Sequence, residues 1–220
     1  MINIEVSDQI KNVCPDFTGA AVFATVKNTP YDEGLWALID EFSKEYKSTH
    51  QMEDVKKNKA IDATRQTYKR LGKDPNRYRP SSEALCRRIL RDLPLYQIDT
   101  LVDLVNLVSL KTGYSIGGFD MDKIEGDSLV LGVGQEEEPY EGIGRGLLNI
   151  EGLPVYRDRV GGIGTPTSDH ERTKIDLSTT HFLAIINGYS GKDGLQEAVE
   201  YMNMLLENFL NAREMRHFYF

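Results

Sequence analysis

The stretch from Thr100 to Asp120 reads TLVDLVNLVSLKTGYSIGGFD, and it separates a helical part of the chain from a part rich in strands. Its first half repeats apolar side chains at helical spacing, at Leu101, Leu104, Val105 and Val108. Such a stripe is typical of a helix with one face in the core. Gly113 follows, and glycine is the residue type that most often ends a helix. The pattern predicts an α-helix over Thr100–Thr112.

Working outward toward the N-terminus, the chain has two short strand patterns and then three helical ones. Apolar alternation or a branched apolar run predicts strands over Ile2–Val6 and Gly19–Val26. Helical spacing predicts helices over Tyr31–Tyr46 and Val55–Leu71, and a third that starts at Ser81.

Toward the C-terminus, glycines become frequent and short branched runs predict strands joined by long loops. These runs are Ser128–Val133, Leu153–Tyr156 and Thr180–Ile186. A last helix over Asp193–Met215 should lay one apolar face on the sheet. We therefore predict a single α+β domain over residues 1–220, with mixed, mainly antiparallel sheet layers and packed helices.

The composition is that of a globular protein, with 40% hydrophobic and 27% charged residues. Two cysteines are too few for a disulfide scaffold, and no apolar run reaches the roughly 20 residues of a membrane helix. The N-terminal residues lack the order of a signal peptide. These features favour a cytoplasmic protein that does not associate with a membrane.

The net charge of −8 argues against a DNA-binding protein, but the positive charge is concentrated in one segment. Between Val55 and Arg91 stand twelve basic residues against three acidic ones, a net of +9. This basic segment has two interpretations: its cations lie on solvated helix faces, or they contact phosphate.

Familiar catalytic motifs do not occur in the chain. The four histidines belong to no HExxH or Cys/His array, so no metal site is predicted. The glycine-rich pieces do not match a nucleotide-binding loop, and no organic cofactor is expected. On the predicted helix, Asp103 and Asn106 share a second face with Asp99, where they either brace neighbouring loops or line a pocket.

Longer motifs resemble the editing (B3/B4) domain of phenylalanyl-tRNA synthetase β subunits. The resemblance lies in three ordered segments, Asp103-Leu104-Val105-Asn106, Gly113-Tyr114-Ser115-Ile116-Gly117-Gly118-Phe119-Asp120 and Ile124-Glu125-Gly126. The preceding Gly72-Lys73-Asp74-Pro75 and Arg77-Tyr78-Arg79-Pro80-Ser81-Ser82-Glu83-Ala84-Leu85 are similar to the archaeal and eukaryal form of that domain and to free-standing bacterial homologues. The resemblance is strongest over residues 55–190.

The resemblance implies binding of the aminoacylated end of tRNA and hydrolysis of a wrongly attached amino acid, without a metal or cofactor. It does not imply a complete synthetase. Three sets of site residues follow from it, namely catalytic Asn106, Asp169 and Glu171, substrate-binding Asp103, Gly117 and Asp120, and RNA-binding Arg77, Arg79 and Arg87.

The chain departs from the family pattern at Gly117, which stands where the bacterial synthetases have a histidine. His170, beside Asp169, is a candidate replacement. The motif leaves open whether Asp169 or Glu171 is the site carboxylate. Two alternatives to a deacylase are a non-catalytic module that binds RNA or an amino acid, and an interaction domain that has lost the editing site.

Overall fold

The computed structural model describes residues 2–220. Its α-helices are α1 (Asp8–Val13), α2 (Glu33–Thr49), α3 (Lys59–Arg70), α4 (Ser81–Leu90), α5 (Thr100–Thr112) and α6 (Leu195–Leu210). Its strands are β1 (Asn3–Val6), β2 (Thr18–Thr25), β3 (Ile116–Asp120), β4 (Ser128–Val133), β5 (Glu141–Gly142), β6 (Gly146–Leu147), β7 (Pro154–Arg157), β8 (Gly162–Gly164), β9 (His181–Gly188) and β10 (Arg213–Tyr219). Short 3-10 turns cover Val55–Lys57, Met121–Lys123 and Glu171–Thr173. No helix among these residues combines the length and hydropathy needed to cross a membrane.

Eight of the strands form two four-stranded sheets, and β5 pairs with β6 in a separate hairpin. The first sheet has the order β1-β4-β7-β8, and the second has the order β10-β2-β9-β3. Among the strands of residues 2–220, the β1–β4 pair is parallel and the other pairs run antiparallel. The α+β fold with mixed, mainly antiparallel sheets is thus confirmed.

The second sheet lies between the first sheet and the helices, and its central strands are buried on both faces. In β2, Ala20 and Val22 pack against α2, α5 and α6, while Ala21 and Phe23 pack against the first sheet. Burial on both faces explains why this strand is apolar throughout and does not alternate. Each fully buried Val or Leu contributes about 1.5–3 kcal/mol to folding through the hydrophobic effect.

The helix α5 begins and ends at the residues that its sequence predicts. Asp99 caps the first turn by accepting a hydrogen bond of 2.9 Å from the Val102 N–H. At the other end Gly113 has φ 82°, a left-handed conformation that glycine adopts at low cost. The chain then turns back through β3, so that β3 packs beside α5. The sequence analysis did not predict β3, because Gly117-Gly118 has low strand propensity.

The prediction that the last helix continues to Met215 is wrong. Helix α6 ends at Leu210, and Asn211 has φ 49° at its C-terminal cap. The following residues form β10, which pairs antiparallel with β2. Without β10, the backbone groups of β2 would be unpaired at a sheet edge, and this pairing outweighs the local preference for helix.

The helix predicted over Val55–Leu71 is also interrupted. Val55–Lys57 forms a separate 3-10 turn, and α3 begins only at Lys59. The reason is Asn58, whose Oδ1 accepts hydrogen bonds from the N–H groups of Ala60 and Ile61. This is the contact of an N-cap residue, and it starts a new helix.

Candidate functional site

A cavity of about 340 Å³ lies between α5, β3 and the segment that follows β8. This volume falls within the range of small-molecule sites in proteins. It is open to solvent and its walls are mainly apolar, with a few polar side chains among them. An open cleft of about 390 Å³ lies elsewhere, between α2, α5 and α6, but none of the predicted site residues lines it.

One face of α5 forms a wall of the cavity. Val102, Val105, Asn106 and Ser109 line it at the i, i+3, i+4, i+7 spacing of neighbouring side chains on a helix. The half-buried side chain of Asn106 forms no hydrogen bond with another residue in the range 2–220. Its amide donor and acceptor are therefore available to a ligand.

Asp169 lies in the opposite wall, and its carboxylate is held by the backbone of β3. The Gly118 N–H donates a hydrogen bond of 3.0 Å to Asp169 Oδ2. A Cβ atom placed on Gly117 or Gly164 would lie 3.2 Å or 2.9 Å from Asp169 Oδ1. Glycines on both sides therefore leave the space that this carboxylate occupies.

Burial raises the pKa of the Asp169 carboxyl to about 7, and the hydrogen bond from Gly118 opposes part of this effect. Loss of solvation disfavours the charged form of a carboxyl group. At neutral pH the group is thus present in both protonation states. This is the range in which a carboxyl group works best as a general base or general acid.

Asp103 does not line the cavity, although it lies one turn before Asn106. Trp36 Nε1 donates to its Oδ2 at 2.8 Å, and the Ile98 N–H donates to its Oδ1 at 3.1 Å. Burial raises the pKa of Asp103, and the two hydrogen bonds oppose this effect. Because Ile98 is itself part of the cavity wall, Asp103 fixes the position of that wall.

Asp120 also lies outside the cavity. Its Oδ2 accepts a hydrogen bond of 2.9 Å from Thr179 Oγ1 and lies 3.3 Å from Lys123 Nζ. These contacts tie the end of β3 to the segment before β9. Gly117 lies in β3 beside the cavity-lining Gly118 but does not itself line the cavity.

Glu171 does not line the cavity. Its Oε2 lies 2.5 Å from Lys174 Nζ, and its Oε1 accepts a hydrogen bond of 3.3 Å from the Gly144 N–H. The contact with Lys174 lowers the pKa of Glu171, so this carboxylate is ionised at neutral pH. Of the two carboxylates that the motif leaves open, Asp169 is the one in the cavity wall.

His170 lies next to Asp169 in the chain but does not line the cavity. Its Nδ1 accepts a hydrogen bond of 2.9 Å from the Arg172 N–H, and its ring packs edge-on against Tyr140 at a centroid distance of 4.9 Å. Burial and the charge of Arg172 lower its pKa. The imidazole is therefore neutral at pH 7 and is used in the local packing.

The three predicted RNA-binding arginines have different environments. Arg87 Nε donates to the buried Glu83 at 2.7 Å, and Glu83 also binds Arg65 at 2.7 Å. Arg77 is exposed and Arg79 is half-buried, and neither forms an ion pair with another residue in the range 2–220. Arg79 stands two positions before a residue of the cavity wall, Ser81.

Sequence reasoning missed the hydroxyl groups of the cavity. Ser81, Ser109 and Thr165 all line it. Ser109 follows Asn106 at the i+3 spacing, so the face that holds Asn106 also predicts this neighbour. No three His, Cys, Asp or Glu side chains among residues 2–220 are grouped so that they could hold a metal ion.

Together, the layers and the cavity define an α+β domain with a small-molecule-sized site between one helix and one sheet edge. The model of the B3/4 domain family matches residues 63–202, more than half of the chain. The chain belongs to the B3/4 domain family, and the predicted family resemblance is confirmed.

The fold is also seen in a solved N-terminal fragment of the phenylalanyl-tRNA synthetase β-subunit from Pyrococcus horikoshii. The TM-score is 0.52 at 14% sequence identity, over 98% of this chain and 50% of that one. The chain thus spans about half the length of that fragment. No curated protein sequence matches the chain.

Proposed function

We propose that the cavity binds the aminoacylated end of a tRNA and hydrolyses the ester that joins the amino acid to the ribose. The observation that carries this proposal is the convergence of Asn106 and Asp169 in one cavity, with an Asp169 carboxyl whose pKa is about 7. The tRNA class is supported by the family and by the printed name of the structural relative, which is part of a tRNA synthetase.

In the proposed reaction, ionised Asp169 acts as the general base. Its carboxylate takes a proton from water, and the water oxygen forms a bond to the ester carbonyl carbon. The Asn106 amide donates a hydrogen bond to the carbonyl oxygen, where negative charge develops. The tetrahedral intermediate then collapses, and the proton on Asp169 goes to the ribose oxygen as the C–O bond breaks. The products are the free amino acid and the uncharged tRNA.

The tRNA backbone is proposed to meet the basic segment near the cavity. Arg79 and Arg77 have no acidic partner among residues 2–220, so their guanidinium groups are available to phosphate. Arg87 forms an ion pair with Glu83 within α4 and is not included in this proposed contact. We place this activity in the cytoplasm, where charged tRNA is present.

A binding module without turnover is the second candidate, and Gly117 favours it. Glycine has no side chain to act at the position where the related synthetases have a histidine. General acid–base assistance contributes about 10²–10⁴-fold to a rate, so the two candidates differ in whether Asp169 supplies that assistance.

The test is to incubate the protein with a panel of aminoacyl-tRNAs and to follow release of the amino acid. We expect at least one member of the panel to be deacylated above the protein-free rate. Asp169→Asn should lower the rate by about 10²–10⁴-fold. Glu171→Gln is the matched control, because that carboxylate lies two residues further along the chain but does not line the cavity, and it should retain the rate.

Two results would contradict the proposal. Binding of aminoacyl-tRNA without release of the amino acid would favour the second candidate. A loss of activity in Glu171→Gln, together with full activity in Asp169→Asn, would show that Asp169 is not the catalytic carboxylate.

A further inference from the structure

The cavity has two chemically different ends, separated along the axis of α5. Val102 and Ser109 both line it and are seven residues apart, so about 10 Å of helix separates them. Asn106 lies between them on the same face. The opposite wall extends along the same axis. Strand β3 begins at Ile116, near the C-terminus of α5, and runs back beside the helix.

The end near the helix N-terminus is apolar. Ile98, Val102, Val105 and Ile175 line it. A Cβ atom on Gly118 would lie 2.9 Å from Ile175 Cδ1 and 3.7 Å from Val105 Cγ2, so both side chains meet β3 at the level of the Asp169 hydrogen bond. Lys174 also borders the cavity, with its ammonium group on Glu171.

The other end carries hydroxyl groups. Ser109 is only 2% exposed, yet its hydroxyl forms no hydrogen bond with another residue in the range 2–220. Because Ser109 lines the cavity, this hydroxyl group is available to a ligand that can hydrogen-bond to it. Ser81 is placed at the same end, because its N–H donates to Pro166 O at 2.8 Å and its neighbour Ser82 contacts Ser115 at 3.1 Å.

Arg79 stands two positions before Ser81 of the hydroxyl end and forms no ion pair among residues 2–220, whereas Lys174 is paired with Glu171. A nucleotide presents its ribose hydroxyls next to its phosphate, and this matches hydroxyl groups next to an arginine. At the apolar end, a polar amino-acid side chain would lose water without gaining a partner, which costs free energy.

Building on the proposed function, we infer that the substrate has one orientation, with the ribose at the Ser81–Ser109 end and a hydrocarbon side chain at the Val102–Val105 end. The ester then lies between them, beside Asn106 and Asp169. The substrate class is accordingly an ester of an amino acid with an aliphatic side chain.

The inference is tested with adenosine analogues that carry the amino acid through a stable 3′-amide. Valyl and threonyl amides are the probes, because their side chains have nearly the same shape and differ in one hydroxyl group. Titration calorimetry with the wild-type protein should show at least about fivefold tighter binding of the valyl amide.

Two single-atom variants then separate the two ends. Val102→Thr should reduce the preference for the valyl over the threonyl amide by about threefold to tenfold. Ser109→Ala should weaken both amides by the same factor, again about threefold to tenfold, and leave their ratio unchanged. Thermal unfolding of each variant checks that the fold is retained.

Two failures are distinguishable. The orientation is overturned if the wild type prefers the threonyl amide. It is also overturned if Ser109→Ala changes the ratio of the two affinities while Val102→Thr weakens both amides equally. In either case the proposed function stands. If the wild type binds neither amide and deacylates no aminoacyl-tRNA, the proposed function falls and the orientation falls with it.

Discussion

At the scale of single residues, the environment of Asp169 is made by glycines. Gly118 donates the hydrogen bond that holds the carboxylate, and Gly117 and Gly164 leave the space around it. A side chain at position 117 would therefore meet the carboxylate of Asp169. In this fold the position is needed to accommodate the carboxylate on which the proposed chemistry depends.

We therefore predict that restoring the family residue does not restore a family-like activity. A Cβ atom on Gly117 would lie 2.6 Å from the Phe119 ring, closer than real Cβ contacts, in addition to its approach to Asp169. Gly117→Ala should lower the free energy of unfolding by about 1–3 kcal/mol through overpacking. Gly117→His should lower it at least as much and reduce deacylation.

Gly161→Ala serves as the control for added side-chain volume, since no atom lies within 4 Å of a Cβ there and its φ is not in the left-handed region. Urea unfolding measures each change. A Gly117→His protein that is as stable as wild type and more active would refute this account of the site.

The individual site residues differ in how well the sequence could predict them. The helix face and the family motif both predicted Asn106 as a site residue, and in the structure it lines the cavity. The direction of Asp103 could not be predicted, because it depends on Trp36, which lies 67 residues away in the chain. Likewise, no local pattern separates Asp169 from Glu171, since the hydrogen bond that holds Asp169 comes from β3.

At the scale of secondary-structure elements, a buried ion cluster joins α3 to α4. Glu83 is fully buried and accepts hydrogen bonds from Arg65 and Arg87. These two arginines account for part of the basic segment's charge, and they act in the fold. Arg65 and Arg87 therefore fit neither interpretation of the segment, because they lie in a buried ion cluster and not on a solvated face or at a surface open to phosphate.

Removing the central carboxylate of this cluster should be strongly destabilising. Glu83→Ala leaves the buried guanidinium of Arg65 without its partner, and we expect a loss of about 3–5 kcal/mol in the free energy of unfolding. Lys57→Ala removes an exposed ion pair with Asp54 and should cause no measurable change. Equal unfolding midpoints for the two variants in urea would contradict the structural role of Glu83.

The remaining arginines of the segment should determine the salt dependence of tRNA binding. Each lost phosphate contact lowers the slope of log K against log salt by about one, so Arg77→Ala with Arg79→Ala should lower it by about two. Arg91→Ala is the control: Arg91 is exposed and follows the far end of α4, about 15 Å along the helix from Ser81. If Arg91→Ala lowered the slope of log K against log salt as much as the loss of Arg77 or Arg79, the effect would come from net positive charge and not from phosphate contacts near the cavity.

The elements also show where sequence patterns are sufficient. Helix α5 was predicted to the residue, because its stripe and its terminal Gly113 are local signals. Strand β10 was missed, because its reason is the pairing with β2, almost two hundred residues earlier in the chain. Pairing between distant strands has no signature in a local window.

At the scale of the whole molecule, the cavity exists because three parts of the chain meet. Helix α5 supplies Asn106, the sheet edge β3 supplies the Gly118 N–H, and the segment after β8 supplies Asp169. The hydrophobic layer between α5 and the second sheet fixes the distance between the two walls. The central claim of the proposed function is that this assembly carries a carboxyl group that titrates near neutral pH and activates water.

The most direct test of that claim is the pH dependence of deacylation under single-turnover conditions, corrected for spontaneous ester hydrolysis. Because only the ionised form of Asp169 acts as a base, the wild-type rate should rise with pH and level off above a pKa of about 7. Asp169→Asn should abolish this rise, while His170→Ala should keep it. A wild-type rate that is flat between about pH 5 and pH 8, or a rise that survives Asp169→Asn, would contradict the claim.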